Sequence, residues 1–159
     1  MVCMQPENFK VMPHTNMEFP GVDTIRVCKT DSLEPDINTY AAVTESSFHN
    51  GTIEVDVCGK LLPDAHDYAR GFIGIVFRAA DDGREFESFY IRPANGIDCC
   101  DPIRKKHGCQ YFSFPGYTFS YLRDFGITDY ESSVNTISLN KWSHIKAVVR
   151  DSSAVFFVD

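Results

Sequence analysis

The stretch "NGTIEVDVC" alternates apolar and polar residues, with Ile53, Val55 and Val57 on one face and Thr52, Glu54, Asp56 and Cys58 on the other. A period of two is that of a half-buried β-strand. "DTIRVCK" at 23–29 repeats the alternation, and "TYAAVTE" at 39–45 does so more weakly. "RGFIGIVFRAA" at 70–80 is apolar on both faces until Arg78, as a central strand would be. "DDGR" at 81–84 supplies a tight turn and "EFESFYIRP" at 85–93 returns from it, so these segments predict a hairpin. "LLPDAHDYA" reads as a loop broken by Pro63, and 94–108 as a long turn-rich stretch. "CQYFSFP" predicts a further strand, and "YTFSYLRDFG" at 117–126 either a strand or one helical turn. "KWSHIKAVVR" and "AVFFVD" predict a closing hairpin around "DSS".

No segment keeps a helical period for three turns. Many short strands between turn signals predict an all-β fold, an antiparallel two-sheet sandwich or jelly roll. Its inter-sheet core is expected from Ile53, Val55, Val57, Ile73, Ile75, Phe77, Phe89, Ile91, Ile145, Ala147 and Val149.

Length and charge narrow the picture. The 159 residues fit one domain with a sizeable core, so a single sandwich over 1–159 is expected. The formal charge of −7 argues against a nucleic-acid partner, and the one basic run, "IRKKHG" at 103–108, is short enough to be a solvated loop. No stretch approaches the roughly 18–20 apolar residues of a membrane span, and "MVCMQPENFK" carries no apolar leader core. A cytoplasmic chain without a membrane partner follows, or an extracellular one if a leader has been removed. The six cysteines contain no Cys-x-x-Cys pair and read as reduced thiols.

"FHNGTIEVDV", "ARGFIGIVFR", "FESFYIRPANG", "QYFSFPGYTF" and "YESSVN" together resemble a group of bacterial proteins with the concanavalin A-like lectin/glucanase fold. "KWSHIKAVVRDSSAVFFVD" is similar to the Trp-led closing hairpin of laminin-G-like members of that superfamily. The resemblance covers about residues 45–159 and is most specific from "RGFIGIVFR" to "FYIRPANG". It implies two sheets packed face to face, with a concave outer face that often receives a glycan. The chain departs from the group in carrying "IRKKHGC" where relatives have a run like Arg-Arg-Asn-His. It also stops at Asp159, where relatives continue into another strand. One or more C-terminal strands are therefore expected to be lacking. "AVFFVD" is apolar on both faces, and such an edge is expected either to aggregate or to complete its sheet by self-association.

Laminarinase-type hydrolases of this fold carry Glu-x-Asp-x-Glu, because alternate residues of a strand place carboxyl groups on one side of a glycosidic bond. Glu54 and Asp56 fill the first two places, but the third is Cys58, whose thiol cannot replace the proton-donating acid. That mechanism is not expected, and charged residues on strands more often serve solvation. A hydrolase with another acid/base set would have to draw on Glu54, Asp56, Glu87 and Glu131. Non-catalytic carbohydrate recognition is the leading expectation, because Arg78, Tyr90 and Arg92 can share one side of the 71–93 hairpin. Asn95 lies just beyond them, and Gln110, Tyr111, Tyr117 and Arg123 add planar donors and rings downstream. The competing reading pairs these arginines with Glu54, Asp56, Glu87 or Glu131 in a structural network; an interaction domain without a small ligand is the third alternative.

No cofactor is expected. Cys99, Cys100, His107 and Cys109 offer zinc-type ligands, but at a spacing that matches no finger. Asp98 and Asp101 lie in no calcium-loop pattern. His144, next to Trp142 on a strand, reads as a surface or core residue.

Overall fold

The computed structural model describes residues 2–30 and 39–159. The fold is all-β with antiparallel sheets, as expected, and its longest helix among the described residues has six residues. The chain divides into two compact units, Met1–Ser47 with Ala80–Gly83, and Phe48–Ala79 with Arg84–Asp159.

In the first unit, β1 (Phe9–Val11) pairs with β4 (Ala41–Val43), and β2 (Thr15–Gly21) forms a hairpin with β3 (Thr24–Lys29). The expected strands at 23–29 and 39–45 appear as β3 and β4. The β2–β3 register shifts between Glu18 and Gly21. Pro20 lies in that gap and has no N–H to give to a ladder. Met12 and Tyr40 are buried here.

The second unit holds two sheets. One has the order β11-β10-β5, from β5 (Gly51–Cys58), β10 (Trp142–Arg150) and β11 (Ser153–Val158). The other has the order β6-β7-β8-β9, from β6 (Ile73–Phe77), β7 (Phe86–Ile91), β8 (Cys109–Phe114) and β9 (Glu131–Ser132). The 70–93 hairpin is β6–β7 and the closing hairpin is β10–β11, both in antiparallel register. Gly74 on β6 faces Tyr90, where a Cβ would run into the Phe89 carbonyl oxygen and the Tyr90 backbone. Only glycine allows that approach.

Side chains of both sheets meet in a shared core. Val57 and Ile145 come from one sheet and Phe89, Ile91 and Cys109 from the other, with Ile137 closing the cluster from a loop. A second cluster joins Phe77 to Ala147 and Val149. All eleven residues expected in the core belong to these clusters or pack against them. Phe156 on β11 adds a ring stack on Phe89, centroids 4.3 Å apart and planes 2° from parallel. The segment at 117–126 resolves as a helix, α2 (Phe119–Asp124), because Thr118 caps its first turn by accepting from the Tyr121 N–H. The 94–108 stretch contains a shorter helix, α1 (Pro102–Lys105), capped by Asp101.

Ile145 is fully buried, so Ile145→Ala should cost about 2–5 kcal/mol, whereas Glu54→Ala on the opposite face of the sheet should stay within about 0.5 kcal/mol of wild type. Urea unfolding of the two variants measures both, and an equal loss would contradict the assigned faces.

Candidate functional site

The ladder of the four-stranded sheet sets Tyr90 opposite Gln110 and Gln110 opposite Glu131, so these three stand in one row on its outer face. Arg92, two residues beyond Tyr90, reaches all three. Its guanidinium donates to Tyr90 Oη at 2.8 Å, to Gln110 Oε1, and to Glu131 Oε2 at 2.9 Å. Tyr90 in turn donates to Gln110 Oε1 at 2.6 Å. Glu131 Oε2 also accepts from Arg123 at 3.1 Å and lies against His107 Nδ1. Arg92 is 3% exposed, Gln110 0% and the Glu131 side chain 2%. This is a buried ion-pair network in which one carboxylate serves two guanidiniums. Gln110 Nε2 and Glu131 Oε1 are buried and accept or donate no hydrogen bond among the described residues.

Helix α2 covers the network. The Arg92 and Arg123 guanidiniums lie 5.6 and 5.3 Å from the Phe119 ring, and Leu122 is buried beneath the helix. Three exposed rings cluster on and around α2: Tyr117, which precedes the cap and bridges to Ser113, Tyr121 within the helix, and Phe125 at its C-cap. Tyr117 and Tyr121 meet edge to face at 5.3 Å, and Tyr121 and Phe125 lie 4.6 Å apart with planes tilted by 34°, so the three rings form one row.

The structure brings Tyr90, Arg92 and Gln110 together but places Arg78 elsewhere. Arg78 has φ +47°, a left-handed conformation that breaks the strand alternation on which its expected direction rested. Its guanidinium is instead paired with Glu87 at 2.9 Å and donates to the Asp151 carbonyl. Tyr111 also faces inward, donating to Glu87 Oε2 at 2.9 Å. Asn95 is buried and braces the 94–108 loop, donating to the His107 carbonyl at 2.9 Å and accepting from Arg104 Nε at 3.2 Å. Of the expected contact residues, Tyr117 and Arg123 are the ones with substantial exposure.

Glu54 and Asp56 stand on the exposed face of β5, opposite Lys146 and His144 on β10. Glu54 pairs with Lys146 Nζ at 3.1 Å and Asp56 with His144 Nδ1 at 2.8 Å. The cysteine-rich stretch does not converge on a point. Cys100 is exposed, Cys99 is turned toward the Asp101 carbonyl, and Cys109 lies in the core, where burial pushes its thiol pKa up. Among the described residues no group of three or more His, Cys, Asp or Glu side chains is gathered as a metal site would need.

A cleft of about 900 Å³ lies between the sheets of this unit, bordered by β9, β11 and the 133–136 loop. Phe89, Tyr111, Phe156 and Val158 line it with Ser133, Asn135 and Ser153. Burial and the hydrogen bond to Glu87 push the Tyr111 hydroxyl up to about 12.

Sequence reasoning missed Tyr121, Phe125, Phe119 and the part played by His107. The spacing of Tyr121 and Phe125 is helical and held part of the signal for the aromatic row, whereas Tyr117 joins it from the turn after β8, which the spacing does not announce. The chain matches no protein-family model, no curated protein and no solved structure.

Glu131→Gln should cost about 3–5 kcal/mol in denaturant unfolding, because the Arg92 guanidinium stays buried without its anion; Glu54→Gln, at a solvated pair, should cost no more than about 1 kcal/mol. Tyr111 generates a pH dependence. A hydroxyl whose folded value stands above its ordinary 10 favours the folded state while protonated. That contribution is complete below pH 10 and is lost as pH rises toward 12. Stability should therefore fall across this window by up to about 1.4 kcal/mol per pH unit, and Tyr111→Phe should flatten the slope.

Proposed function

We propose that the second unit is a concanavalin A-like jelly-roll sandwich that recognises carbohydrate without turning it over. The observation that carries this reading is the exposed row Tyr117, Tyr121 and Phe125, on and flanking α2, 56%, 37% and 67% exposed. Large apolar rings grouped at a surface mark a contact site. Flat aromatic faces suit the C–H patches of sugar rings, while Arg123 is turned to Glu131 and the Phe119 ring and holds the helix in place. The tyrosine hydroxyls add further polar contacts at the rim.

In this reading Arg92, Gln110 and Asn95 do not touch the sugar. They hold α2 and its neighbouring loop, so that the ring row is in place before the ligand arrives and little ordering cost remains. Two sheets sharing one core support the jelly-roll assignment. The lack of turnover rests on the carboxylates. A glycosidase needs one protonated and one ionised carboxyl group flanking the bond. Here Glu54, Asp56, Glu87 and Glu131 each face a basic partner: Lys146, His144, Arg78 and Arg92.

A glycan array followed by calorimetry tests the reading. Tyr121→Ala should weaken binding about tenfold, or ~1.4 kcal/mol, with unfolding little changed. Absence of binding to every glycan would remove the proposal, and release of reducing sugar would replace it with the hydrolase.

A further inference from the structure

We infer that Arg70 and Arg104 form a binding site for an oxyanion, the sulfate, phosphate or carboxylate group of a ligand. The two residues meet at Ala94, in the 3₁₀ turn Pro93–Asn95 that follows β7. The Ala94 N–H donates to the Arg70 carbonyl at 3.0 Å, and Arg104 Nη2 donates to the Ala94 carbonyl at 3.3 Å. Arg104 Nε donates to Oδ1 of the buried Asn95 at 3.2 Å. Arg70 Nη1 donates to the Asp67 and Ala69 carbonyls at 2.6 and 2.7 Å. Both arginines are half-buried. Neutral groups alone therefore fix these two guanidiniums. Arg70 Nε and Nη2 and Arg104 Nη1 have no acceptor among the described residues.

The other arginines withdrawn from water in this unit each meet a carboxylate, Arg78 with Glu87 and Arg92 with Glu131. Arg70 and Arg104 do not, although the chain carries 22 acidic residues against 15 basic ones. The nearest acids in sequence are turned to other partners. Asp98 accepts from Ser138 Oγ, and Asp101 Oδ1 accepts from the Ile103 and Arg104 N–H groups at 2.8 and 3.3 Å as the cap of α1. The Asp67 carboxylate attracts Arg70 without touching it. Burial first, and then repulsion from the Arg104 and Arg92 guanidiniums, pull the Arg70 pKa below its ordinary value. An oxyanion at the open N–H groups would relieve that repulsion and accept charge-assisted hydrogen bonds, for which the planar guanidinium fork is shaped. Lys105 and Lys106 follow Arg104 and extend the positive field around the pair.

This site stands apart from the carbohydrate reading, and where both hold the ligand is an acidic glycan. Observation of the arginine Nε–H signals by NMR during titration with sodium sulfate, at ionic strength held constant with chloride, tests the inference. The Arg70 and Arg104 signals should shift together and saturate, whereas that of Arg26, exposed and paired with Glu18, should not move. Arg70→Gln should weaken sulfate binding about tenfold through the lost charge-assisted bonds. Arg70→Lys keeps the charge but not the fork, should weaken binding less, and serves if the neutral variant does not fold. A sulfated disaccharide that binds more tightly than inorganic sulfate, and than the same sugar without sulfate, assigns the oxyanion to a glycan. Equal binding of disaccharide and sulfate assigns a free anion. Shifts that never saturate would overturn the inference, as would binding indifferent to both Arg70 substitutions. Tyr121→Ala should leave sulfate binding unchanged, so this inference and the carbohydrate reading can each fail alone.

Discussion

A guanidinium taken out of water costs several kcal/mol unless an anion meets it, and Arg92 meets Glu131. That pair joins elements far apart in sequence. Arg92 follows β7, Glu131 begins β9, and the same carboxylate oxygen holds Arg123 on α2 and His107 at the end of the 94–108 loop. The apolar core between the sheets is non-directional and would tolerate several placements of the chain over the outer face. The hydrogen-bond geometry at Glu131 tolerates few, since each donor has its own direction to satisfy. Burial of the sheets makes the unit fold, and the ion pair decides where α2 lies.

The two faces of the four-stranded sheet therefore carry different physics. Inward, Phe89, Ile91 and Cys109 exclude water with the partner sheet. Outward, Arg92 and Gln110 are just as dry and Tyr90 is half-buried, but their cover is one short helix in place of a sheet. A helix of six residues has little stability of its own. Its place depends on Leu122, on Phe119 beneath two guanidiniums, and on Arg123.

Much of the second unit was legible in the sequence because its strands keep a strict period of two. Ile53, Val55 and Val57 pack inward and Glu54 and Asp56 point out, as the alternation alone requires. Ile145, Ala147 and Val149 follow the same rule on β10. The reading failed where backbone conformation departs from that period. Arg78 adopts a left-handed φ that no pattern of apolar residues announces, and it leaves the face assigned to it. β9 is two residues long and β1 three, too short to show any alternation. The outward network was anticipated as a competitor to ligand binding, since the arginines had carboxylates within reach. That Arg92 and Gln110 would be sealed under α2 depended on tertiary placement, which the local sequence does not carry.

The position of Cys109 has a further use. Its thiol is buried between the sheets, donates to the Ser132 carbonyl, and is held in its unreactive neutral form by burial. Cys3 and Cys100, by contrast, are exposed. A thiol reagent would consume the exposed pair first, then the half-buried Cys28 and Cys58, and would wait on the buried Cys99 and Cys109 until their cover opens, which for Cys109 means the sheets parting. The molecule thus contains a clock for its own breathing, wound by nothing more than where one sulfur lies.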